Sequence, residues 1–429
     1  GVSVKVGDIA NVEWTNDETS HFTRYNGKRA LFVTARAKLG TTIFTVMDAL
    51  KKQVDAFEPR LPKEIKLERG FDQSETVAHR LNSLGRDLGI AIALDADTAI
   101  IGAYGDTVVA TGATFGIAQG SAYVFQRTGE TWTQVQKLSP DPVGSDGDNF
   151  GVALATSGDL LAVGAPRRSV NGILEAGNVF LYARGANGYQ HVQILQAPTP
   201  TDDERFGGVL ALWQDQLAVG VPLAHPGGRV DIYKRNGGEF TFQRSVVGSG
   251  PGLEAARFGA ALAIADSELL IGAPGADGSG AVFHLDLTDG STTTAARVPV
   301  FATAGAELGA SLAIDGGVAL AGAPGVGGGE VRVLQLADLG WQQAALLTSA
   351  SSAPGDRYGS SVALNGQRAM VSAIAALGGE GAVYVYERAG AAITAPTQLD
   401  LADGGTSSRF GASLAVAHLR RRARRLSRL

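Results

Sequence analysis

The chain contains no cysteine among its 429 residues. That rules out a disulfide framework, a thiolate metal site and a thiol nucleophile. No uninterrupted apolar run reaches the ~20 residues that a membrane-spanning helix needs. The nearest, 88–103, is interrupted by Asp95 and Asp97. Histidine is sparse: the six residues His21, His79, His191, His225, His284 and His418 show neither i,i+4 nor His-x-His spacing. Such isolated residues read as solvated or satisfied side chains rather than metal ligands. No Gly-x-Ser-x-Gly elbow is present. The glycine-rich strings 275–280 and 325–329 lack the Lys-Ser/Thr of a phosphate loop and read as turns. The sequence therefore points away from an enzyme, and from any cofactor or metal.

Positive charge is concentrated at one end of the chain. Six arginines fall within residues 420–429, so the net charge of −5 leaves about −11 on the remainder. A mildly acidic surface gives no reason to bind nucleic acid.

Glycine, by contrast, is abundant at 58 residues and lacks the triplet period of collagen. It punctuates a phrase repeated every 50 to 60 residues: a Phe-Gly-like start, small apolar alternation, a tight turn, and a second strand ending in Gly-Ala-Pro or a relative. Six copies occupy 88–104, 150–166, 206–222, 258–274, 308–324 and 358–374, and a seventh begins at Phe410. In the second copy, strands are expected at 151–156, 159–164, 178–183 and 189–196. The third segment of each unit (NVFLY, RVDIY, AVYVY) is rich in β-branched and aromatic residues, as a half-buried strand should be. The fourth, such as Thr131–Leu138, has the looser polar pattern of an outer strand, although Trp132, Trp213 and Trp341 read as packing residues. The first is rich in Ala, Gly and Ser, as an inner strand crowded near an axis must be. Four antiparallel strands per unit predict a mainly β chain, a β-propeller of six or seven blades starting near 89, 151, 207, 259, 309, 359 and 411.

These phrases resemble the FG-GAP repeats of integrin α-chain propellers and their bacterial secreted relatives, over about residues 89–417. The resemblance implies a non-catalytic propeller for extracellular adhesion or ligand binding. Some propellers of this kind are hydrolases, but no convergent carboxylate or histidine cluster is legible here. The family's calcium loop, Asp-x-Asp-x-Asp-Gly, is also missing. The turns holding Asp97 and Asp315 are too short to supply the oxygens that calcium requires. The string 146–149 reads as a polar turn before a buried Phe150.

Residues 1–88 have a different texture. Strands are expected at 2–6, 30–37 and 65–69, a turn at Asn26-Gly27, and helices over 42–57 and from Ser74, which gives a small α+β unit. The strings VGDIANV, YNGKRAL, LPKEIKLERGFDQSETV and HRLNSLGRDLGIAI resemble the periplasmic porter segment of resistance–nodulation–division efflux pumps. In that family the segment leads into a membrane helix whose start corresponds to Leu88–Leu94; here the same string begins a blade. The switch inside Gly89–Leu94 suggests two joined coding regions. The opening Gly1, in place of Met, suggests a fragment, and the basic run 418–429 suggests a change of frame.

A binding propeller recognises its partner, protein or glycan, through the loops entering each blade and those between its second and third strands, which open on one face. The longer ones are 104–120, 167–177, 198–205 and 223–228. The candidate contact residues there are Arg167, Arg168, Asp202, Asp203 and His225. Localisation is read as secreted, cell-surface or periplasmic. The alternative, from residues 1–88, is the periplasmic part of an inner-membrane transporter.

Overall fold

The computed structural model describes residues 24–25, 28–29, 91–107, 119–129, 131–140, 145, 147–349, 353–400 and 409–416. The chain divides into two compact units, Gly1–Leu84 and Gly85–Leu429. In the first, β1 (Arg24–Tyr25) and β2 (Lys28–Arg29) pair antiparallel with Tyr25 opposite Lys28. That register brackets Asn26-Gly27, a dipeptide suited to a two-residue hairpin. The strands expected at 2–6, 30–37 and 65–69 and both helices lie outside the described residues.

The second unit is mainly β and propeller-like. Its strands run as successive four-stranded antiparallel meanders: β3 (Ile92–Asp95), β4 (Thr98–Ala103), β5 (Ser121–Thr128) and β6 (Thr131–Leu138); then β7 (Leu154–Ser157), β8 (Leu160–Ala165), β9 (Asn178–Gly185) and β10 (Gly188–Leu195). The third meander comprises β11 (Val209–Trp213), β12 (Gln216–Val221), β13 (Arg229–Asn236) and β14 (Glu239–Gly248), and the fourth β15 (Ala261–Ala265), β16 (Glu268–Ala273), β17 (Ala281–Asp286) and β18 (Thr294–Arg297). The fifth is β19 (Ser311–Asp315), β20 (Val318–Ala323), β21 (Glu330–Ala337) and β22 (Gly340–Leu347). The sixth holds β23 (Tyr358–Asn365), β24 (Arg368–Ala373), β25 (Ala382–Ala389), β26 (Ala392–Ile393) and β27 (Thr397–Leu399). The first strands β3, β7, β11, β15, β19 and β23 are neighbours in that order, which is why they are built from small residues.

The apolar core lies between the meanders, not within them. One buried cluster joins Ile100, Val124 and Leu138 to Leu161, Val163 and Phe180; the next joins Leu160, Ala162 and Leu181 to Phe206, Leu217 and Val219. Alternate side chains of β8 thus enter opposite clusters, because successive residues of a strand point to opposite faces. Burial on both faces explains why each second strand reads as a largely apolar run.

The repeated phrase is the joint between meanders. The residue before each Phe-Gly takes a left-handed backbone: Asn149, Arg205, Arg257, Glu307, Arg357 and Arg409 all have φ between 49° and 60°. The turn then drops the aromatic or leucine into the seam, and Phe150, Phe206, Leu308 and Tyr358 are fully buried. Its N–H donates to the preceding meander, as from Phe206 to Ala176 O (3.0 Å) and Phe258 to Gly227 O (2.8 Å). The glycine of Gly-Ala-Pro abuts the next Phe-Gly: a Cβ at Gly164 would lie 1.9 Å from Gly207 O. That turn also corrects the expected start of the first strand. In the second copy it begins at Leu154 rather than Gly151, since Asn149 and Gly151 both have positive φ.

Two further details depart from expectation. Trp341 is buried, but Trp132 is 40% exposed on an outer strand and does not act as a packing residue. The fourth strand of the fourth meander is short and pairs in parallel with β14, Val247 facing Thr294 and Gly248 facing Ala295, so these two meanders form one eight-stranded sheet. At two other junctions a glutamine does this edge-to-edge work. Gln136 Nε2 donates to Tyr189 O (2.8 Å) while its Oε1 accepts from Tyr189 N (2.8 Å). Gln193 holds Phe240 in the same way, at 2.9 and 2.8 Å.

Candidate functional site

Strand direction places the entry loops and the loops between second and third strands at one end of every meander. Hydrogen bonds tie each loop of the second kind to the entry loop of the following meander: Arg205 N to Glu175 O (3.0 Å), Gly305 N to Gly278 O (2.6 Å), Gly355 N to Gly327 O (2.7 Å) and Arg409 N to Gly379 O (3.2 Å). The loops therefore form one stitched surface.

Four of the five candidate residues lie around one stitch, where three of them bind loop partners. Arg167 follows the Pro166 that ends β8, and its Nε and Nη2 both donate to Glu175 Oε1, at 2.9 and 2.6 Å. Arg205 Nε donates to the other oxygen of Glu175 at 2.9 Å. The Arg167 hydrogen bond, with the charges of both guanidinium groups, holds the Glu175 carboxyl below its ordinary value against the opposing effect of burial. Asp202 accepts from Leu174 N at 2.8 Å, and Asp203 N donates to Leu174 O at 3.0 Å. Arg167 and the two aspartates thus meet across adjacent meanders. Arg168 turns away from the surface. Its guanidinium lies 5.4 Å from the Phe180 ring centroid and 3.6 Å from Asp148. It also helps to line a cleft of about 230 Å³ with Val170, Asn178, Ile194 and Gln196. That volume is below the ~300–1,000 Å³ of typical small-molecule pockets. His225 is exposed on the 222–228 loop of the third meander.

Beside this stitch lies a buried charge network that the sequence reading missed. Arg229, at the start of β13, forms a bidentate pair with Glu204 (2.7 and 3.0 Å). Its Nε also lies 3.1 Å from both oxygens of Asp231, which is fully buried. Ser245 Oγ donates to Asp231 at 2.6 Å. Burial pushes the Asp231 carboxyl above its ordinary value. Burial also opposes the charge on Arg229, but its bonds to Glu204 and the charge of Asp231 hold its pKa up. The available signal was the Arg-x-Asp of RVDIY, two charges alternating inside an apolar strand. Each residue of the run 202–205 thus has its own task, and together they strap the 167–177 loop to β13.

The remaining histidines in the described region are structural. His191 packs on the rings of Phe180 and Tyr182. His284 pairs with Glu268, which also accepts from Trp341 Nε1 at 3.0 Å. His21, His79 and His418 lie outside the described residues. Among the described residues, no helix is long and apolar enough to cross a membrane.

Comparison with known proteins separates two parts of the chain. Residues 132–182 and 341–386 match the FG-GAP repeat, and residues 1–96 match the AcrB/AcrD/AcrF family. The second match runs through β3, across the Gly89–Leu94 string. Multidrug resistance protein MdtC of Pectobacterium carotovorum subsp. carotovorum (strain PC1) is 30% identical over 94 residues, which is 22% of this chain and 9% of that protein. Among solved structures, a putative 6-phosphogluconolactonase from Bacteroides uniformis ATCC 8492 aligns with TM-score 0.46 and 12% identity, over 71% of this chain and 82% of that one. Sqt1 of Chaetomium thermophilum aligns with TM-score 0.42 and 16% identity, over 71% and 69%. The chain carries FG-GAP repeats in a propeller-like β unit and, over residues 1–96, a segment related to the AcrB/AcrD/AcrF family.

Proposed function

We propose that the β unit is a non-catalytic binding or adhesion propeller, secreted or displayed at the cell surface or in the periplasm. Its recognition surface is the stitched loop face. The observation that carries this reading is the row of loop-to-loop hydrogen bonds, which fixes the exposed loops of successive meanders before any partner arrives. A preordered surface loses less conformational entropy on binding. Arrays of extracellular proteins and of glycans, probed with the full chain, test it. Arg167→Ala or Asp202→Ala is expected to weaken the partner so found by about tenfold. Binding that survives substitutions across the whole face would discard the reading.

The ring is read as having seven positions. Phe410 N donates to Glu380 O at 2.8 Å, repeating the joint seen between earlier meanders, and Gly411 comes up against Ser372. A seventh phrase at that joint favours seven positions over six.

A second reading rests on the match of residues 1–96: a porter segment of an efflux transporter, in the periplasm. Sequencing the source DNA across the codons for Arg80 to Asp106 separates the two. An unbroken frame makes the porter-like segment an appendage of the propeller. A break within Gly89–Leu94 makes the two parts separate proteins.

A further inference from the structure

The loop face carries a feature that solvent alone does not explain. Leu174, Leu223, Val326 and Leu377 each project from a different loop between second and third strands, and they are 64, 50, 42 and 50% exposed. Phe301, on the entry loop of the fifth meander, is 83% exposed. Single exposed apolar side chains are ordinary, but five on one face, four of them from successive loops of one kind or their near neighbours, mark a candidate interaction surface. Several of these loops are also held in conformations that L-residues rarely adopt. Asn171, Glu175, Asp203, Asp277 and Leu377 all have positive φ, and the stitching keeps them there.

Charge decides what the face fits. Most charges here are neutralised in pairs: Glu175 with Arg167 and Arg205, Glu204 with Arg229, Asp277 with Arg297, Glu307 with Arg357. Outside such pairs, the described loops hold the carboxylates Asp202, Asp203, Glu254, Asp356 and Glu380, against the guanidinium groups of Arg257 and Arg409. The excess is acidic, so a second copy of this face, or a sulfated glycan, would be repelled. Neutral sugars are usually held by stacking on aromatic rings. Of the exposed aromatic side chains among the described residues, Phe301 alone belongs to this face, while Trp132 and Phe242 stand on outer strands.

We infer that the partner of this face is a polypeptide presenting apolar side chains flanked by lysine or arginine. The apolar tips anchor it and the unpaired carboxylates select its charge. The inference rests on the loop-face reading above and narrows the partner from protein or glycan to cationic polypeptide.

The test is selection of a displayed random dodecapeptide library on the immobilised full chain, with a sulfated and neutral glycan array run in parallel. Enriched peptides are expected to be apolar with net positive charge, and to bind more weakly as salt is raised. The variants Phe301→Ser with Leu377→Ser, and Glu254→Lys with Glu380→Lys, alter side chains that are exposed or only partly buried. Each pair should weaken the peptides by about tenfold. Val192→Ser, equally exposed on an outer strand, should leave them unchanged. Neutral or acidic peptides, or peptides indifferent to both double variants, overturn the inference. If such peptides still lose affinity in Arg167→Ala, the face remains the recognition surface and only the partner's chemistry is wrong. Glycan binding that falls in the same double variants likewise overturns the polypeptide and keeps the face. Failure of the library to enrich at all overturns the inference too.

Discussion

Single atoms decide much of this fold. The glycine ending each second strand leaves room for the carbonyl of the next Phe-Gly, so Gly164→Ala would drive a Cβ to within 1.9 Å of Gly207 O. A backbone atom cannot rotate aside, and the expected loss is at least ~2 kcal/mol in a urea denaturation series. Gly158→Ala, where nothing lies within 4 Å but φ is 59°, should cost about 1 kcal/mol, from the left-handed backbone alone. The Asp231 network gives a contrast in charge. Its carboxyl, raised by burial above the ordinary 3.8, holds its proton more tightly folded than unfolded. Its ionisation therefore lowers stability as pH rises from 3.8 through the folded value. Asp231→Asn should remove that slope and leave stability at neutral pH unchanged or slightly higher. Arg229→Met instead strands two carboxylates, one of them fully buried, and should cost about 3–5 kcal/mol. Denaturation at several pH values distinguishes the two.

At the scale of elements, meanders are held to their neighbours by a phrase joint and an apolar seam, and the first three also by a side-chain latch at the rim. Gln193→Ala removes two bonds to Phe240 and leaves its backbone groups without them, a loss of about 1–2 kcal/mol. Gln136→Ala should cost the same, and the double variant the sum, because the two latches bind different pairs of meanders. The order of four strands per unit was legible from the sequence because alternation and turn glycines are local signals. The start of the first strand was not. Its displacement to Leu154 follows from the left-handed Asn149, a conformation imposed by the neighbouring meander. The parallel pairing of β14 with β18 was equally hidden, since it joins strands about 50 residues apart through only two residue pairs. Of the candidate site, the loops and Arg167, Asp202 and Asp203 could be named as polar groups on long loops. Glu175 and the Glu204–Arg229–Asp231 network could not, because those contacts cross between meanders.

Taken as a whole, the second unit behaves as a row of repeats in which each seam belongs to two neighbours, so stability should spread along the row. Phe258 is 1% exposed and packs edge-to-face on Phe283, with ring centroids 5.2 Å apart. Phe258→Ala should cost ~3–5 kcal/mol. Phe410, only partly buried, should cost clearly less in the same measurement. Native-state hydrogen exchange should find the amides of 410–416 opening first and those of β12 and β16 last. The sequence alone determined the architecture, because a period of 50 to 60 residues with two-residue alternation admits few folds. It also marked the change of character near Gly89. Tertiary structure decided what the motif does: the aromatic or leucine fills a seam, Gly admits a carbonyl and the residue before them, most often arginine, takes the left-handed turn. It likewise set which charges face solvent. Both outcomes depend on surfaces that exist only once one meander is laid against the next.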